Sequence, residues 1–500
     1  MKKISKIISV ILAVMMVFTL AVPAFATENS GTVYPEIFVP GLDASKIYTD
    51  KDNPDNLIGI PETDTLLDGV KKDIVPAFIT YAADNDAEKL GKTIADFLNS
   101  SFAEYFNNPD GSAIGNAGAA FVYPAKETVI STPRLRFSYD WRGDPVEVAA
   151  DLNDYINYVL ECTGSDKVAI SSHSLGGVVT LTYLSIYGYD KVMGVVFDTP
   201  AVDGLTCVGE LFSGKTKFAG EGIAALLKLV IGTTEYEELL SSIIDILSFA
   251  GVSDSMSGFM NGVYEKIGPT LLKETLFPLF GCWASIWAMI PDEYIDDVME
   301  FAFEGDMKGE EYAGIRARVE NYNEKVRENK KQTLLGFDEV ARVAVITRYG
   351  FNSVPMTDEW TMLSDTVIET QRSSMGATTA PFGEYFSDEE LEGKDMKYIS
   401  PDKTVDASTC LFPEKTWFIK NTMHSENPVT MQFFTQLLFG EEEATCDNTE
   451  LSRFMLYDRE TGKVVVDESE PVKIEKPTFF ERIFNFIKAI IDKIIDFFNR

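Results

Sequence analysis

The chain has 500 residues and a formal net charge of −34 at pH 7, with 78 acidic against 44 basic side chains. A chain this acidic repels nucleic acid and anionic lipid head groups at long range, which argues against a nucleic-acid-binding function. The sequence contains two histidines and five scattered cysteines without metal-ligand spacing, so we expect no metal site and no cofactor. One disulfide remains open, with its pairing undefined.

The first 26 residues have the composition of a secretory signal peptide. Three lysines precede an apolar run over residues 7–22, and Ala24-Phe-Ala26 provides a small-x-small cleavage site. The predicted mature chain starts at Thr27, and an uncleaved anchor is the alternative. We therefore expect a secreted or cell-surface protein.

Short apolar segments that are typical of buried strands alternate with helical segments along the mature chain. The strand candidates are residues 33–39, 135–139, 168–170, 192–197, 340–346 and 417–419. The clearest helices are residues 87–106 and 145–162, and a third follows residue 174. This alternation predicts an α/β fold, a mostly parallel sheet with helices on both faces.

The alternation stops between residues 203 and 332. Apolar helical segments lie at residues 223–231, 239–249 and 277–290, and a charged helix is predicted at 310–331. We interpret the block as a helical cap inserted between two parts of the core, residues 27–202 and 333–466. The alternative is that these helices pack only against each other.

A strand, a tight turn and a helix meet around Ser172-His-Ser-Leu-Gly176. This is the context of a nucleophile elbow, G-x-S-x-G, in which the serine hydroxyl projects above the sheet. Ser172 replaces the first glycine with another small residue. Ser174 is the predicted nucleophile, and the backbone N–H of Leu175 is a predicted oxyanion-hole donor. The alternative is an ordinary strand-loop-helix connection.

The two histidines limit the choice of a base for this serine. A serine hydroxyl needs an adjacent base to become nucleophilic at neutral pH, and histidine suits that role. His173 lies within the elbow, where its side chain is expected to point away from the Ser174 hydroxyl. His424, on a loop after the predicted strand 417–419, is therefore the predicted base.

The third member of such a triad is an acid between the serine and the histidine, in the chain order of α/β-hydrolases. Asp402 is the first candidate because it lies on a turn-rich loop upstream of His424. Asp406 is the runner-up and Asp365 is the third candidate. The alternative for each of the three aspartates is that it is only a solvated acid on a loop.

Four short segments resemble α/β-hydrolases of the lecithin:cholesterol acyltransferase and phospholipase type. In chain order they are Val39-Pro-Gly-Leu-Asp-Ala-Ser-Lys46, Tyr139-Asp-Trp-Arg142, Ser172-His-Ser-Leu-Gly-Gly177 and Asp402-Lys-Thr-Val405. The resemblance implies an α/β-hydrolase fold and places Asp402 ahead of Asp406. It also implies that the N–H of Leu42 is the other oxyanion-hole donor. The segments cover a small part of the chain, so the substrate does not carry over.

The last residues, 467–500, are predicted to form a linker followed by an amphipathic helix. Phe480, Phe484, Ile487, Ile491 and Ile494 follow helical spacing. Three roles stay open for residues 479–500: contact with a membrane or lipid surface, self-association or pairing with a partner helix, and docking on the chain's own domain.

Together these patterns predict a secreted serine hydrolase that cleaves carboxylic esters, with a lipid as the favoured substrate. An O-acyltransferase with the same triad is one alternative. A non-catalytic surface protein that binds ligands on a hydrolase fold is the other.

Overall fold

The computed structural model describes residues 34–53, 55–59, 69–219, 252–449 and 451–473. The predicted signal peptide, the predicted helices at 223–231 and 239–249, and the amphipathic segment 479–500 lie outside these residues.

Strands in the described residues are numbered here in chain order. They are β1 Glu36–Val39, β2 Ile47–Tyr48, β3 Gly118–Ala119, β4 Arg134–Arg136, β5 Val168–His173, β6 Val192–Asp198, β7 Arg342–Tyr349, β8 Phe351–Asn352, β9 Leu363–Ser364, β10 Thr378–Thr379, β11 Val405–Asp406, β12 Thr416–Lys420, β13 Phe454–Asp458 and β14 Lys463–Val466.

A central sheet of eight strands has the order β14-β13-β12-β7-β6-β5-β1-β4. Every neighbouring pair is parallel except β13 and β14, which are antiparallel. Val39 pairs with Ser172, and His173 pairs with Asp198, so the carboxyl ends of β1, β5 and β6 meet at one edge. The predicted parallel α/β architecture is confirmed.

Helices cover the sheet, and their bounds follow local sequence signals. They are α1 Val75–Asp84, α2 Ala87–Ser101, α3 Lys126–Ser131, α4 Pro145–Thr163, α5 Leu175–Tyr187, α6 Thr206–Phe212, α7 Val252–Leu271, α8 Phe277–Leu279, α9 Ala284–Ala288, α10 Asp292–Phe303, α11 Ala313–Lys325, α12 Lys330–Asp338, α13 Thr370–Ser373 and α14 Met431–Phe439. The predicted helix 145–162 is α4. It begins at Pro145 because the Asp144 carboxylate caps the N–H of Val146, and it ends at Gly164, which adopts φ +71°.

The two faces of the sheet have separate cores. On one face, side chains of α4 and α5 such as Leu152 and Leu181 pack in the main cluster with Ile170 and Val195. On the other face, α14 packs Phe433 and neighbours against Trp417 and its surroundings. The prediction of helices on both faces is therefore confirmed.

Between β6 and β7 the described chain is mainly helical, as the sequence pattern predicts. The predicted segment 277–290 is divided into α8 and α9, because the chain turns between Phe280 and Trp283. All five cysteines are free thiols. Among the described helices, none combines the length and the apolar character needed to span a membrane.

Candidate active site

Ser174 lies at the sharp turn between β5 and α5. Its backbone adopts φ +54° and ψ −122°, a strained conformation for a residue with a side chain. The turn is closely packed, since a methyl group at Gly176 would lie 2.1 Å from the carbonyl oxygen of Val39. Ser172 is fully buried, and its hydroxyl donates to the carbonyl of Val196 at 3.4 Å, so the substituted glycine position accommodates a serine.

His424 lies on the loop that follows β12 and reaches Ser174. Its Nε2 is 3.0 Å from the Oγ of Ser174, across 250 residues of sequence. The loop is held by backbone N–H groups, since Asn421 donates to the carbonyl of Tyr349 and Met423 donates to the carboxylate of Glu426. The structure therefore brings the predicted nucleophile and the predicted base together.

Asp365 is the carboxylate that contacts His424. Its Oδ2 lies 2.7 Å from Nδ1 of His424, and its own backbone carbonyl accepts the N–H of His424 at 2.8 Å. Burial raises the pKa of Asp365, but the charge and hydrogen bond of His424, the N–H of Ile368 and the hydroxyl of Thr199 outweigh burial and leave this pKa below its usual value. Asp365 is therefore an ionised, fully buried acid that orients the imidazole.

The prediction that Asp402 pairs with His424 is wrong. The carboxylate of Asp402 forms an ion pair of 2.7 Å with Lys420, the last residue of β12. The hydroxyls of Ser400 and Thr404 donate to its other oxygen at 2.6 and 2.8 Å. Asp402 thus stabilises its own turn and neutralises a lysine at the end of a strand.

Asp406, the runner-up acid, is also directed elsewhere. Its carboxylate binds Lys394 at 2.5 Å and accepts from the hydroxyl of Ser408 at 2.6 Å. Both partners lie between residues 394 and 408, so Asp406 fixes this part of the chain and does not reach His424.

A sequence signal for Asp365 existed but was weaker than that for Asp402. Asp365-Thr-Val367 contains the aspartate, threonine and valine of Asp402-Lys-Thr-Val405 with one residue fewer. Asp365 also directly follows β9 and lies much nearer to the end of β7 in sequence than Asp402 does. The spacing from the preceding strand therefore favours the third candidate.

The loop after β1 lies directly against Ser174. A methyl group at Gly41 would lie 2.8 Å from Cβ of Ser174, which shows how closely the loop approaches. The hydroxyl of Tyr139 donates to the carbonyl of Pro40 at 2.6 Å, and Nε1 of Trp141 donates to the carbonyl of Ser45 at 3.1 Å. The segment from Tyr139 to Trp141 therefore holds this loop at both ends.

The two predicted oxyanion donors belong to this neighbourhood. Leu42 follows the glycine that contacts Ser174, and Leu175 is the first residue of α5. The first N–H groups of a helix have no carbonyl partner within it, so the N–H of Leu175 is available to a ligand by helix geometry. Both leucines are thus placed beside the serine.

Arg142 has a structural role in the segment that precedes α4. Its side chain is fully buried, forms an ion pair of 2.7 Å with Asp140 and donates to the carbonyl of Tyr105. These contacts fix the segment that holds the loop of Gly41.

A second buried network, which the sequence-based predictions did not include, lies beside His424. Arg348 forms an ion pair of 2.7 Å with Asp198 and donates a hydrogen bond to the backbone carbonyl of His424. Asp198 ends β6 and Arg348 lies near the end of β7. Such charged residues at the carboxyl ends of neighbouring parallel strands are the signal that would have found them.

The arrangement supports nucleophilic chemistry without a metal ligand set. A serine hydroxyl, an imidazole and a carboxylate are connected by hydrogen bonds of 3.0 and 2.7 Å, the order needed to activate the hydroxyl. Within the described part of the chain, no three His, Cys, Asp or Glu side chains are grouped to hold a metal ion.

Comparisons with known proteins do not assign the chain to a family. No protein-family model and no curated protein matches it. One solved structure with a partial match is titled "The crystal structure of Tle4-Tli4 complex", at 16% identity and a TM-score of 0.20. The match covers 41% of this chain and 55% of that chain, so it spans about half of the solved protein. At this TM-score the likeness carries no argument about function.

Proposed function

We propose that the protein is a secreted serine hydrolase with an α/β-hydrolase fold that cleaves carboxylic esters through an acyl-enzyme. The observation that carries the proposal is the position of His424, whose two ring nitrogens contact Ser174 at 3.0 Å and Asp365 at 2.7 Å. A solvated loop histidine is not expected to contact a strained serine and a buried carboxylate at the same time.

In the proposed reaction, Oγ of Ser174 attacks the ester carbonyl while Nε2 of His424 accepts the hydroxyl proton. Asp365 fixes the tautomer with the proton on Nδ1 and stabilises the imidazolium that forms. The N–H groups of Leu42 and Leu175 donate to the oxyanion, because fixed dipoles stabilise a charge that develops only in the transition state. The imidazolium then returns its proton to the leaving alcohol.

Water completes the proposed cycle. His424 takes a proton from the water as it attacks the acyl-enzyme carbonyl, and the ester bond to Ser174 breaks. The hydroxyl of Ser174 recovers its proton from His424, and the free carboxylic acid leaves. The same triad produces an ester when an alcohol replaces water, so an O-acyltransferase is the alternative outcome of the same chemistry.

A lipid ester is the substrate class that we favour. Support comes from the resemblance of the segments around Leu42, Trp141 and Ser174 to lecithin:cholesterol acyltransferases and phospholipases. In this proposal, the helical region between β6 and β7 forms a cap over the carboxyl edge of the sheet. The apolar side chains of the cap exclude water and bind an acyl chain.

A fluorophosphonate probe tests the proposal, because it reacts with activated serines. We expect the purified protein to be labelled and Ser174→Ala to remain unlabelled. Ser172→Ala is the matched control, since this hydroxyl lies two residues away and only donates to Val196, and labelling should persist. A folded wild-type protein that resists labelling would favour a non-catalytic binding protein. Measuring ester product against free acid after adding an alcohol separates transferase from hydrolase.

A further inference from the structure

The two histidines of the chain face each other beside Ser174. Their ring centroids lie 4.9 Å apart with an angle of 37° between the planes. The Cδ2 atom of His173 also lies 3.4 Å from the point that a methyl group at Gly41 would occupy. The ring of His173 thus lies between the loop of Leu42 and the imidazole of His424, so two imidazoles stand near the reacting serine.

Asp198 is shared between His173 and Arg348. Its Oδ2 lies 2.7 Å from Nη2 of Arg348 and 3.4 Å from Nδ1 of His173. The Arg348 side chain is 1% exposed and that of Asp198 is 7% exposed. The guanidinium of Arg348 is therefore the closer partner of this carboxylate. It compensates most of the charge of Asp198, so little of that charge acts on His173.

Asp365 has a different set of partners. Besides His424, its oxygens accept hydrogen bonds from the hydroxyl of Thr199 and the N–H groups of Val367 and Ile368. These donors are neutral, so the negative charge of Asp365 remains available to a cation on His424. Asp365 therefore presents more uncompensated negative charge to His424 than Asp198 presents to His173.

Charge balance favours the imidazolium that forms on His424 when it accepts the Ser174 proton in the proposed reaction. With both rings neutral, Asp365, Asp198 and Arg348 sum to one negative charge in a buried site. A proton on His424 brings this sum to zero, next to the uncompensated Asp365. Interactions between charges are strong where water is excluded, so the difference between the rings matters energetically.

We propose that Arg348, by neutralising Asp198, directs the Ser174 proton to His424 and keeps His173 as an uncharged ring that positions His424. Arg348, Asp198 and His173 are positioning residues in this inference, which rests on the proposed function. Arg348 also holds the backbone of the base through its hydrogen bond to the His424 carbonyl.

The titration behaviour of the network agrees with this geometry. Burial lowers the pKa of His173 to about 4. The carboxylate of Asp198 acts to raise this pKa, whereas His424 and Arg348 act to lower it further. Burial raises the pKa of Asp198, but Arg348 and His173 outweigh it and hold this pKa below its usual value. At neutral pH, His173 is therefore neutral and Asp198 is ionised.

An NMR titration tests the inference directly, because a chain with two histidines labelled with ¹⁵N-histidine gives two ring spin systems. His173→Gln assigns them. We expect His173 of the wild type to be neutral at pH 8 and to titrate with a midpoint near pH 4. In Arg348→Gln, its titration midpoint should move upward by about one unit or more, and Arg348→Lys, which keeps a cation, should largely restore it. An unchanged His173 titration in folded Arg348→Gln would overturn the inference.

Kinetics give a second readout that a merely structural role would not move. For a soluble ester, Arg348→Gln should lower kcat by about 10- to 100-fold with little change in KM, because a misplaced base affects the transition state. Arg348→Lys should recover most of the loss. Equal loss in both variants, with a fall in Tm, would mean that Arg348 only supports folding.

Asp198→Asn keeps the inference testable if Arg348→Gln does not fold. Removing a negative charge near both rings should move the acidic limb of the kcat/KM profile to lower pH. Arg348→Gln removes a positive charge instead and should move this limb to higher pH. An acidic limb that stays in place would contradict the inference. A wild-type protein that neither hydrolyses esters nor reacts with a fluorophosphonate would refute the proposed function, whereas the NMR titration would still test the network.

Discussion

Asp365 precedes His424 by 59 residues, and its Oδ2 lies 2.7 Å from Nδ1 of the imidazole. Asp402, which is much nearer in sequence, binds Lys420 at 2.7 Å instead. The difference lies in the partners of each carboxylate. Asp365 is surrounded by neutral donors and retains its charge for the histidine, whereas the charge of Asp402 is already paired with a lysine.

The same substitution at the two acids should therefore have very different effects. Asp365→Asn should lower kcat on the order of 10⁴-fold with KM nearly unchanged, because an amide in this place favours the wrong imidazole tautomer. Asp402→Asn should keep near wild-type kcat and lower Tm, since it weakens only the ion pair with Lys420. Steady-state kinetics on a soluble ester, with melting curves for both variants, make the comparison.

The reverse result would be equally informative. If Asp402→Asn abolished turnover while Asp365→Asn remained active, Asp402 would be the acid in solution. A loss in both variants that follows the loss of folded protein would be visible in the melting curves.

Local sequence signals predicted much of the fold and two members of the site. The elbow around Ser174 is a local pattern, because small residues and a strand-turn-helix sequence are both required there. His424 followed from the scarcity of histidine. The strands were predicted with shifted ends, for example residues 340–346 for β7, which is Arg342–Tyr349, because the buried strand continues past the apolar run through Thr347 and Arg348.

The identity of the acid could not be obtained in this way. It depends on which loop folds back to His424, and this is decided by long-range contacts such as Thr199 to Asp365 and Lys420 to Asp402. Arg348 and Asp198 were missed for a related reason. Each lies at or near the end of a strand, where a charged residue usually indicates only that the strand has reached solvent.

Close contact between Gly41 and Ser174 predicts a sharp effect of one methyl group. In Gly41→Ala the new carbon would lie 2.8 Å from Cβ of Ser174 and 3.2 Å from the carbonyl of His173, so the loop has to move. Displacing the Leu42 amide should lower the rate of fluorophosphonate labelling by about 10²-fold. Gly59→Ala is a suitable control, because nothing lies within 4 Å of its added carbon, and labelling should be unchanged.

A labelling rate that is equal in Gly41→Ala and Gly59→Ala, with both proteins folded, would mean that the loop after β1 contributes no oxyanion donor. The proposed role of Leu42 would then be withdrawn while that of Leu175 stands.

Asp43, the neighbour of Leu42, should give the protein a pH-dependent stability. Its Oδ2 is buried without a hydrogen-bond partner, and burial raises its pKa from 3.8 to about 7. Between these values the folded state holds a proton that the unfolded state has released. The free energy of unfolding therefore falls as pH rises through this window, and the contribution is fully present only below the unfolded pKa.

Thermal unfolding at several pH values from 4 to 8 tests this sign. The Tm of Asp43→Asn relative to wild type should become more favourable as pH rises, because the amide carries no charge to be buried. Asp55→Asn, which changes an exposed carboxylate, serves as control. Parallel Tm profiles for wild type and Asp43→Asn would contradict a raised pKa at this position.

The amphipathic segment 479–500 remains a sequence-based prediction, and its deletion separates the roles left open. The segment has nearly balanced charge, which disfavours strong attraction to anionic lipid. The preceding strand β14 leaves apolar surface in solvent, with Val465 42% and Val466 54% exposed. We therefore expect the segment to cover apolar surface of this chain or of a second copy.

Deleting residues 479–500 should then increase the binding of an apolar fluorescent dye and leave liposome binding unchanged. Lys488→Ser, on the polar face, is the control and should alter neither. Loss of liposome binding on deletion, without a gain in dye fluorescence, would instead assign the segment to lipid surfaces.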